Sequence, residues 1–170
     1  MTGTSRIETD RLELNPLAVD DADEMATVLA DPGLYRFIGG TPSTPMELRH
    51  LYERWIAGPS RPGEAWHNWA VRLLSDQTLV GHVQATVSDE GRQADIAWII
   101  GAPWQGHGYA TEAARALIPW LVAGGVVTIT AHIDPRHEAS AAVAKRAGLV
   151  PTDLVEGGEV VWRKPSTGAP

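Results

Sequence analysis

Two glycines lie just before a stretch with helical periodicity, in the segment 103–110. Gly106 and Gly108 allow a tight turn and a close approach of the backbone to a ligand. The first turn of a helix beginning near Tyr109 has peptide N–H groups without intrahelical acceptors, and such groups attract anions. The residue types and their spacing therefore predict a site that binds a phosphate group mainly through the backbone.

The spacing distinguishes this segment from two other phosphate loops. No Gly-Lys-Ser or Gly-Lys-Thr ends it, as a P-loop requires, and the third glycine of a dinucleotide fingerprint is absent. An isolated Gly-x-Gly before a helix is most often only a turn. Taken alone, the segment leaves a structural turn and a phosphate cradle open.

Composition excludes several other kinds of chemistry. The 170 residues include no cysteine, so the chain has no disulfide, no thiolate metal ligand and no catalytic thiol. Of the six histidines, only His132 and His137 lie close together, without i, i+4 spacing or an acidic third ligand of clear spacing. We therefore predict that the protein uses no metal.

The charge balance bears on possible partners. Fourteen Lys and Arg against 21 Asp and Glu give a formal net charge of −7. The resulting field repels nucleic acid and anionic membranes, so we predict neither as a partner, and it loosely favours a cationic molecule. Residues 1–11 lack the layout of a signal peptide, and 116–133 is interrupted by Pro and Gly, so we predict a cytoplasmic protein without a membrane span.

The glycine segment lies inside a strand–helix–strand pattern. Residues 94–100 and 126–133 are apolar and suited to buried strands, and 109–121 has helical periodicity. Such a unit indicates a right-handed parallel crossover. Pro119 lies inside the helix and cannot donate to the Arg115 carbonyl, so we expect a kink or an early helix end there.

The rest of the chain predicts further strands and helices in one domain over 1–164, followed by a loose tail over 165–170. Periodicity and turn residues place a hairpin at 66–74 and 78–87 and a second helix starting at Thr44 or Pro45. The other predicted elements are a strand at 11–14, a helix around 25–29, a helix at 138–147 and a last strand at 159–164.

Several stretches spread over most of the chain share a pattern with one known family. They are Glu8-Thr9-Asp10-Arg11-Leu12, the run from Trp104 to Ala113, Asp134 to Ser140, and Lys145-Arg146-Ala147-Gly148-Leu149. Together they resemble the GNAT N-acetyltransferase superfamily, most closely its RimJ/RimL-like branch, over about Ile7 to Lys164. The pyrophosphate loop of that superfamily reads Gln or Arg, two residues, Gly, one residue, then Gly or Ala. Gln105, Gly108 and Ala110 fill this pattern in order.

The resemblance implies an α/β fold of the α+β type. Its sheet is expected to be mixed and mainly antiparallel, with six to seven strands flanked by about four helices. The two central parallel strands, 94–100 and 126–133, are expected to splay into a V. Acetyl-CoA would lie in that gap as the cosubstrate, with its thioester beside a bulged strand.

The resemblance also assigns roles to individual residues. Ile99 and Ile100 are expected to offer backbone groups to the pantetheine arm, His137 to contact the cofactor, and Ser140 to lie near the sulfur as a proton donor. The pyrophosphate is assigned to a loop formed by Gln105, Gly106, His107, Gly108, Tyr109, Ala110 and Thr111.

Three residues depart from the family pattern. His137 stands where Asn is common, and imidazole replaces only part of the donor and acceptor set of an amide. Ala144 stands where many relatives have a Tyr proton donor, which leaves Ser140 as the hydroxyl candidate nearby. Leu149 replaces the usual Phe, which is a conservative change in the core.

The expected reaction needs a proton acceptor, because a lysine-like amine with a pKa of about 10.4 is mostly protonated at neutral pH. Asp95 stands where relatives often have Glu and is our candidate base, acting through water; a solvent-paired carboxylate at a strand end is the equally open alternative. Positioning of two bound reactants supplies effective molarities of ~10⁵ M or more, against ~10² to 10⁴ for acid–base help. Positioning should therefore dominate the rate.

We predict an N-acetyltransferase that moves the acetyl group of acetyl-CoA to a primary amine by direct attack in a ternary complex. The acceptor is a protein N-terminus or a small molecule, and the protein is a monomer or a homodimer. Two alternatives stay open: a noncatalytic acyl-CoA-binding or sensing module, and transfer of a longer acyl group. Trp66 and Trp69 flank the expected substrate mouth, where core and pocket positions are both open.

Overall fold

The computed structural model describes residues 3–165, which contain one sheet of eight strands. Only β5 and β6 pair in parallel, so the expected mixed and mainly antiparallel sheet is confirmed. Across the sheet the order is β1-β2-β3-β4-β5-β6-β8-β7. The strands are β1 (Ile7–Glu8), β2 (Leu12–Pro16), β3 (Ala65–Leu73), β4 (Leu79–Ser88), β5 (Gln93–Ile100), β6 (Thr128–Ile133), β7 (Val150–Glu156) and β8 (Glu159–Arg163).

Two of these strands, β1 and β7, were not predicted, and the expected count of six to seven is therefore too low. β1 has only two residues, which is too short for any periodicity. β7 contains Pro151 and Asp153, which are depleted in strands. Proline is tolerated at the edge of a sheet, and β7 is an edge strand there.

Four helices cover the two faces of the sheet: α1 (Ala22–Val28), α2 (Pro45–Ala57), α3 (Tyr109–Ala123) and α4 (Glu138–Arg146). The predicted start of α2 is confirmed, because the Thr44 hydroxyl accepts from the Glu47 N–H and the Glu47 carboxylate accepts from the Thr44 N–H. Of the two alternatives expected at Pro119, a kink or an early helix end, the early end is wrong. α3 continues to Ala123, since Leu117, Ile118 and Leu121 are buried and hold both sides of Pro119 against the core.

The parallel pair β5–β6 opens into a gap. The two strands pair only at Gln93 with Thr128, Ala94 with Ile129 and Asp95 with Thr130. Beyond Asp95 their backbones have no mutual pairing, so the expected V-shaped splay is confirmed. The resemblance implied a bulged strand without saying which. The register of β5 with β4 runs without interruption from Gly81–Ile100 to Ser88–Gln93, and the register shift lies in the pairing of β3 with β4, where Val71 pairs with Gly81 and Arg72 with Leu79.

Apolar side chains fill both faces of the sheet. The larger cluster lies under α3 and α4 and contains Trp69, Val83, Leu117 and Ile129. The smaller one lies under α1 and α2. Domain organisation follows from the sheet. Because one sheet contains every strand of the described residues, we propose a single domain over 1–164. Of the tail predicted at 165–170, residues 166–170 lie outside the described residues. No helix between residues 3 and 165 combines the length and the apolar character that a membrane crossing needs.

Candidate active site

The glycine segment forms the turn between β5 and α3. A short 3-10 turn, Ala102–Trp104, follows β5, and Gly106 and Gly108 adopt φ of 79° and 81°. These are left-handed values that other residues rarely take, which explains why glycine stands at both positions. The Gln105 side-chain N–H donates to the Ile100 carbonyl at 3.0 Å and so ties the loop back to the end of β5.

The loop presents a run of free peptide N–H groups. The Glu112 N–H donates to the Gly108 carbonyl at 3.0 Å, but none of the N–H groups of residues 106–111 has an acceptor among residues 3–165. Together with the N-terminal end of the α3 dipole, they form a concave surface that attracts an anion. The predicted cradle geometry is therefore present.

A network around Glu112 fixes the loop to the N-terminal turn. The Glu112 carboxylate accepts from the Thr9 hydroxyl at 2.7 Å and from the Arg11 N–H and Nε at 2.9 and 2.7 Å. The Arg11 Nη1 donates to the His107 carbonyl at 2.9 Å, and the guanidinium lies 4.8 Å from the centre of the Tyr109 ring. Burial raises the pKa of Glu112, but the Thr9 and Arg11 hydrogen bonds outweigh burial and lower it.

A cleft of about 730 Å³ adjoins this network, between the loop, α3 and the end of α4. Three arginines line it, namely Arg11, Arg115 and Arg146, although the whole chain has a formal net charge of −7. The Arg115 Nε donates to the Arg146 carbonyl at 2.8 Å, which brings α3 and α4 together. Guanidinium groups beside a row of peptide N–H groups suit a ligand with several phosphates.

Hydrogen bonds at both ends of β5 show which way its peptide groups point. The Gly101 N–H donates to the Val80 carbonyl of β4 at 2.9 Å, whereas the Arg92 carbonyl accepts from the Thr128 N–H of β6 at 3.0 Å. Because these directions alternate along a strand, odd-numbered residues of β5 bond to β4 and even-numbered residues face β6.

In the open part of the gap, the outward-facing peptide groups are those of Ile96, Trp98 and Ile100. The Ile100 carbonyl is already occupied by Gln105. The peptide group of Ile99 points to His82 of β4, its partner in the register. Of the two residues predicted to offer backbone groups to the pantetheine arm, Ile100 therefore faces the gap and Ile99 faces away from it, and Trp98 was missed.

Ser140 lies in the first turns of α4, across the gap from β5. Its hydroxyl oxygen accepts a hydrogen bond from the Trp98 indole N–H at 3.1 Å. Ala144, one turn later, is fully buried and brings no hydroxyl to the site. Ser140 therefore remains the hydroxyl of this helix that faces β5.

His137 is half-buried at the N-terminal end of α4. Its ring stacks on Phe37 at 4.7 Å between centroids, so the segment before α2 meets the loop before α4. Burial lowers the pKa of His137, although the nearby Asp134 carboxylate acts in the opposite direction. Asp134 itself is held by Arg136, whose hydrogen bonds lower the pKa of that carboxyl to about 2.

Asp95 lies where β5 and β6 begin to separate, on the face away from α3. Its carboxylate accepts from the Thr130 hydroxyl and lies 3.6 Å from the His132 Nδ1. The His132 Nε2 is 3.1 Å from the Glu156 carboxylate. A half-exposed carboxylate, an imidazole and a second carboxylate thus follow one another across the sheet. This arrangement was not predicted, because the three residues are far apart in sequence.

The two candidate tryptophans have different environments. Trp69 is fully buried in the core, and its indole N–H donates to the Ser5 carbonyl. Trp66 lies on the opposite face of the sheet and lines a second cleft. Between residues 3 and 165, no group of three His, Cys, Asp or Glu side chains is arranged to hold a metal ion.

Sequence reasoning found the loop but missed the charged residues around it. Thr9, Arg11 and Glu112 lay inside stretches that resemble the family, yet no role was assigned to them. Arg115 and Arg146 lie on two different helices, so no local pattern connects them.

Comparison with known proteins identifies the family of the chain. Residues 11–150 match the model of the acetyltransferase (GNAT) domain. The chain belongs to the GNAT acetyltransferase family, which confirms the predicted acetyl-CoA-dependent acetyltransferase at the level of the family. A curated relative, the "Uncharacterized N-acetyltransferase p20" of Bacillus licheniformis, is 25% identical over 134 residues, which cover 78% of this chain and 75% of that protein.

Two solved structures have the same fold at low identity. One is RimL, a ribosomal L7/L12 α-N-protein acetyltransferase in complex with coenzyme A, with a TM-score of 0.78, 16% identity and coverage of 93% of this chain and 96% of that one. The other is AAC(6′)-Ib in complex with paromomycin and acetyl-CoA, with a TM-score of 0.75, 18% identity and coverage of 93% and 94%.

Proposed function

We propose that this protein transfers the acetyl group of acetyl-CoA to a primary amine by direct attack in a ternary complex. The observation that carries the proposal is the row of unpaired N–H groups at residues 106–111, which lies beside three arginines and leads into the gap between β5 and β6. RimL and AAC(6′)-Ib share the fold, and the molecules in their names, a protein α-amine and an aminoglycoside, both carry amines. A cytoplasmic enzyme, monomeric or homodimeric, is part of this proposal.

The donor molecule would span two regions of the site. Its pyrophosphate would be held by the loop of Gln105, Gly106, His107, Gly108, Tyr109, Ala110 and Thr111. Its pantetheine arm would lie along β5, where the peptide groups of Trp98 and Ile100 face the gap. The peptide group of Ile99 faces β4, so Ile99 would only hold β5 in register beside the arm. His137 would border the arm from the start of α4.

The reaction joins the amine nitrogen to the acetyl carbon and breaks the carbon–sulfur bond. Asp95 would accept the ammonium proton through water, in the position that Thr130 and His132 fix. Ser140 would return a proton to the departing sulfur. A thiol with a reference pKa near ~8.5 leaves readily as thiolate, so proton donation helps without being indispensable.

The loop assignment is tested by Gly108→Val. Valine is strained at a φ of 81°, and the Cβ atom would come within 3.4 Å of the Arg11 guanidinium, where it closes the approach to the loop. We expect acetyl-CoA affinity, measured by calorimetric titration, to fall at least about tenfold, because the loss of several charge-assisted hydrogen bonds costs about 1.4 kcal/mol or more.

Gly125→Val is the matched control. Gly125 also has a left-handed φ, 95°, with open space around it, but it lies beyond the other end of α3. A folded Gly108→Val protein with unchanged acetyl-CoA affinity would refute the loop assignment. Acetyl-CoA binding by the wild type without CoA release on any primary amine would favour the noncatalytic acyl-CoA-binding module instead.

A further inference from the structure

A second cleft, of about 250 Å³, lies on the face of the sheet opposite the phosphate loop. Residues of β3, β4 and α2 and the chain just before β3 form it. Its lining consists of Trp55, Glu64, Trp66, Asn68, Gln84, Ala85 and Thr86.

The register of the sheet connects this cleft with the reacting end of the gap. Trp66 of β3 pairs with Thr86 of β4, and Thr86 pairs with Asp95 of β5. Directly paired residues point to the same face, so the three side chains form one row across three strands. Asp95 in turn pairs with Thr130 at the last paired position before β5 and β6 separate. A molecule in the cleft therefore lies one strand away from Asp95.

The walls of the cleft are aromatic and fixed in place. The Trp66 indole N–H donates to the Glu64 carboxylate at 2.7 Å, and the Glu64 side chain is only 17% exposed. Trp55 is supported by the Tyr52 and His82 rings, at 5.5 and 5.7 Å between centroids. Two indoles and a partly buried carboxylate form an environment that favours a cation.

The floor of the cleft offers neutral hydrogen-bonding groups. Asn68 and Gln84 pair directly across β3 and β4, and both line the cleft. No Lys or Arg lines the cleft. Arg61, which pairs with Glu64 at 3.8 Å, is outside the lining, and its side chain is 83% exposed. Nothing in the lining would compensate a negative charge on the ligand.

We infer that this cleft binds the acceptor and selects a primary amine whose neighbouring groups are neutral and hydrogen-bonding, as in a peptide N-terminus or an amino sugar. A free α-amino acid would bring its carboxylate into a cleft whose lining holds the Glu64 carboxylate and no Lys or Arg, and we expect it to be rejected. The inference rests on the proposed acetyl transfer and narrows its acceptor class. Selectivity here comes from repulsion as much as from attraction.

The test compares acceptors that differ in the neighbouring charge, with kcat/KM calculated per unprotonated amine, because a neighbouring carboxylate also raises the pKa of the amine. CoA release is assayed at saturating acetyl-CoA with alaninamide and with alanine. A short peptide that begins with Ala and the amino sugar glucosamine are assayed in the same way, to distinguish the two kinds of acceptor. We expect kcat/KM for alaninamide to exceed that for alanine at least about tenfold.

Glu64→Gln keeps a hydrogen-bond acceptor for the Trp66 indole N–H but removes the negative charge. It should raise KM for alaninamide while the acetyl-CoA Kd stays unchanged. Glu53→Gln, an exposed acid on α2 outside the cleft, is the matched control.

A second readout does not depend on turnover. The indole N–H resonance of Trp66, assigned with Trp66→Phe, is followed while each compound is added to the protein saturated with CoA. Equal use of alanine and alaninamide, or turnover with an unmoved Trp66 resonance and no effect of Glu64→Gln, would overturn the inference and leave the transferase intact. A selective Trp66 response without CoA release would support the cleft assignment and count against the transferase.

Discussion

The Ser140 hydroxyl has one proton and two lone pairs, and one lone pair is occupied by the Trp98 indole N–H. Because the oxygen accepts from Trp98, its own proton is directed elsewhere, and the gap is the open direction. We expect Ser140→Ala to lower kcat about tenfold to a hundredfold, at the low end of acid catalysis, since the thiol is already a fair leaving group. The acetyl-CoA Kd should not change. Steady-state kinetics and calorimetric titration measure the two quantities separately.

Trp98→Phe is the companion variant for Ser140. It keeps the hydroxyl and an aromatic ring but removes the N–H that orients it, so a smaller loss of kcat is expected than for Ser140→Ala. If Ser140→Ala and the wild type have the same kcat, the sulfur receives its proton from water and Ser140 has no catalytic role.

At the scale of secondary-structure elements, Glu112 connects the turn between β1 and β2 with the start of α3. We expect Glu112→Gln to lower the free energy of unfolding at pH 7 by about 1.5–3 kcal/mol, the range for hydrogen bonds to a charged group. It should also weaken acetyl-CoA binding, since Arg11 loses its anchor. Because folding lowers the pKa of Glu112 below its ordinary 4.5, this stabilisation is present above pH 4.5 and is lost as the pH falls through the folded value.

Denaturant unfolding at neutral and acidic pH, with Glu138→Gln as the control, tests this connection. Glu138 also lies in the first turn of a helix, but it is exposed and makes no described side-chain hydrogen bond. An equal loss of stability in both variants at pH 7 would show that Glu112 acts only through the helix dipole and that its contacts with Thr9 and Arg11 contribute nothing.

Local sequence patterns predict some of the secondary-structure elements and miss others. The hairpin β3–β4, the crossover around α3 and the glycine loop depend on local periodicity and turn residues, and these were predicted. β7 was missed because Pro151 and Asp153 suppress its pattern. The gap-facing direction of Trp98 and the Asp95–His132–Glu156 arrangement depend on strand register, which no local pattern encodes.

At the scale of the whole molecule, the two clefts lie on opposite faces of one sheet and have opposite electrostatic character. The formal net charge of −7 disfavours a phosphate-bearing donor at long range, so Arg11, Arg115 and Arg146 must offset it locally. The acceptor cleft contains Glu64 and no basic lining residue, so its local charge and the net charge of the chain both attract a cationic amine. The gap between β5 and β6 is the passage through the sheet where the two ligands would meet.

The free energy of unfolding should also depend on His82, to which we assign no role in acetyl transfer. His82 lies in the middle of β4, between Trp55 and the sheet, and its Nδ1 is enclosed without a partner among residues 3–165. Burial lowers the pKa of His82 from 6.5 to about 4. The unfolded chain therefore takes up a proton near pH 6.5, whereas the folded protein resists protonation until about pH 4.

Stability should consequently fall as the pH is lowered from 6.5 to 4, by about 3 kcal/mol from His82 alone. We expect His82→Gln to flatten this slope, although not completely, because burial also lowers the pKa values of His67 and His137. Urea unfolding at several pH values measures the slope, which is independent of any constant destabilisation by the substitution. His50→Gln, which removes an exposed imidazole from α2, is the control. A slope equal to that of the wild type in His82→Gln would mean that the His82 ring is already protonated or solvated in the folded protein.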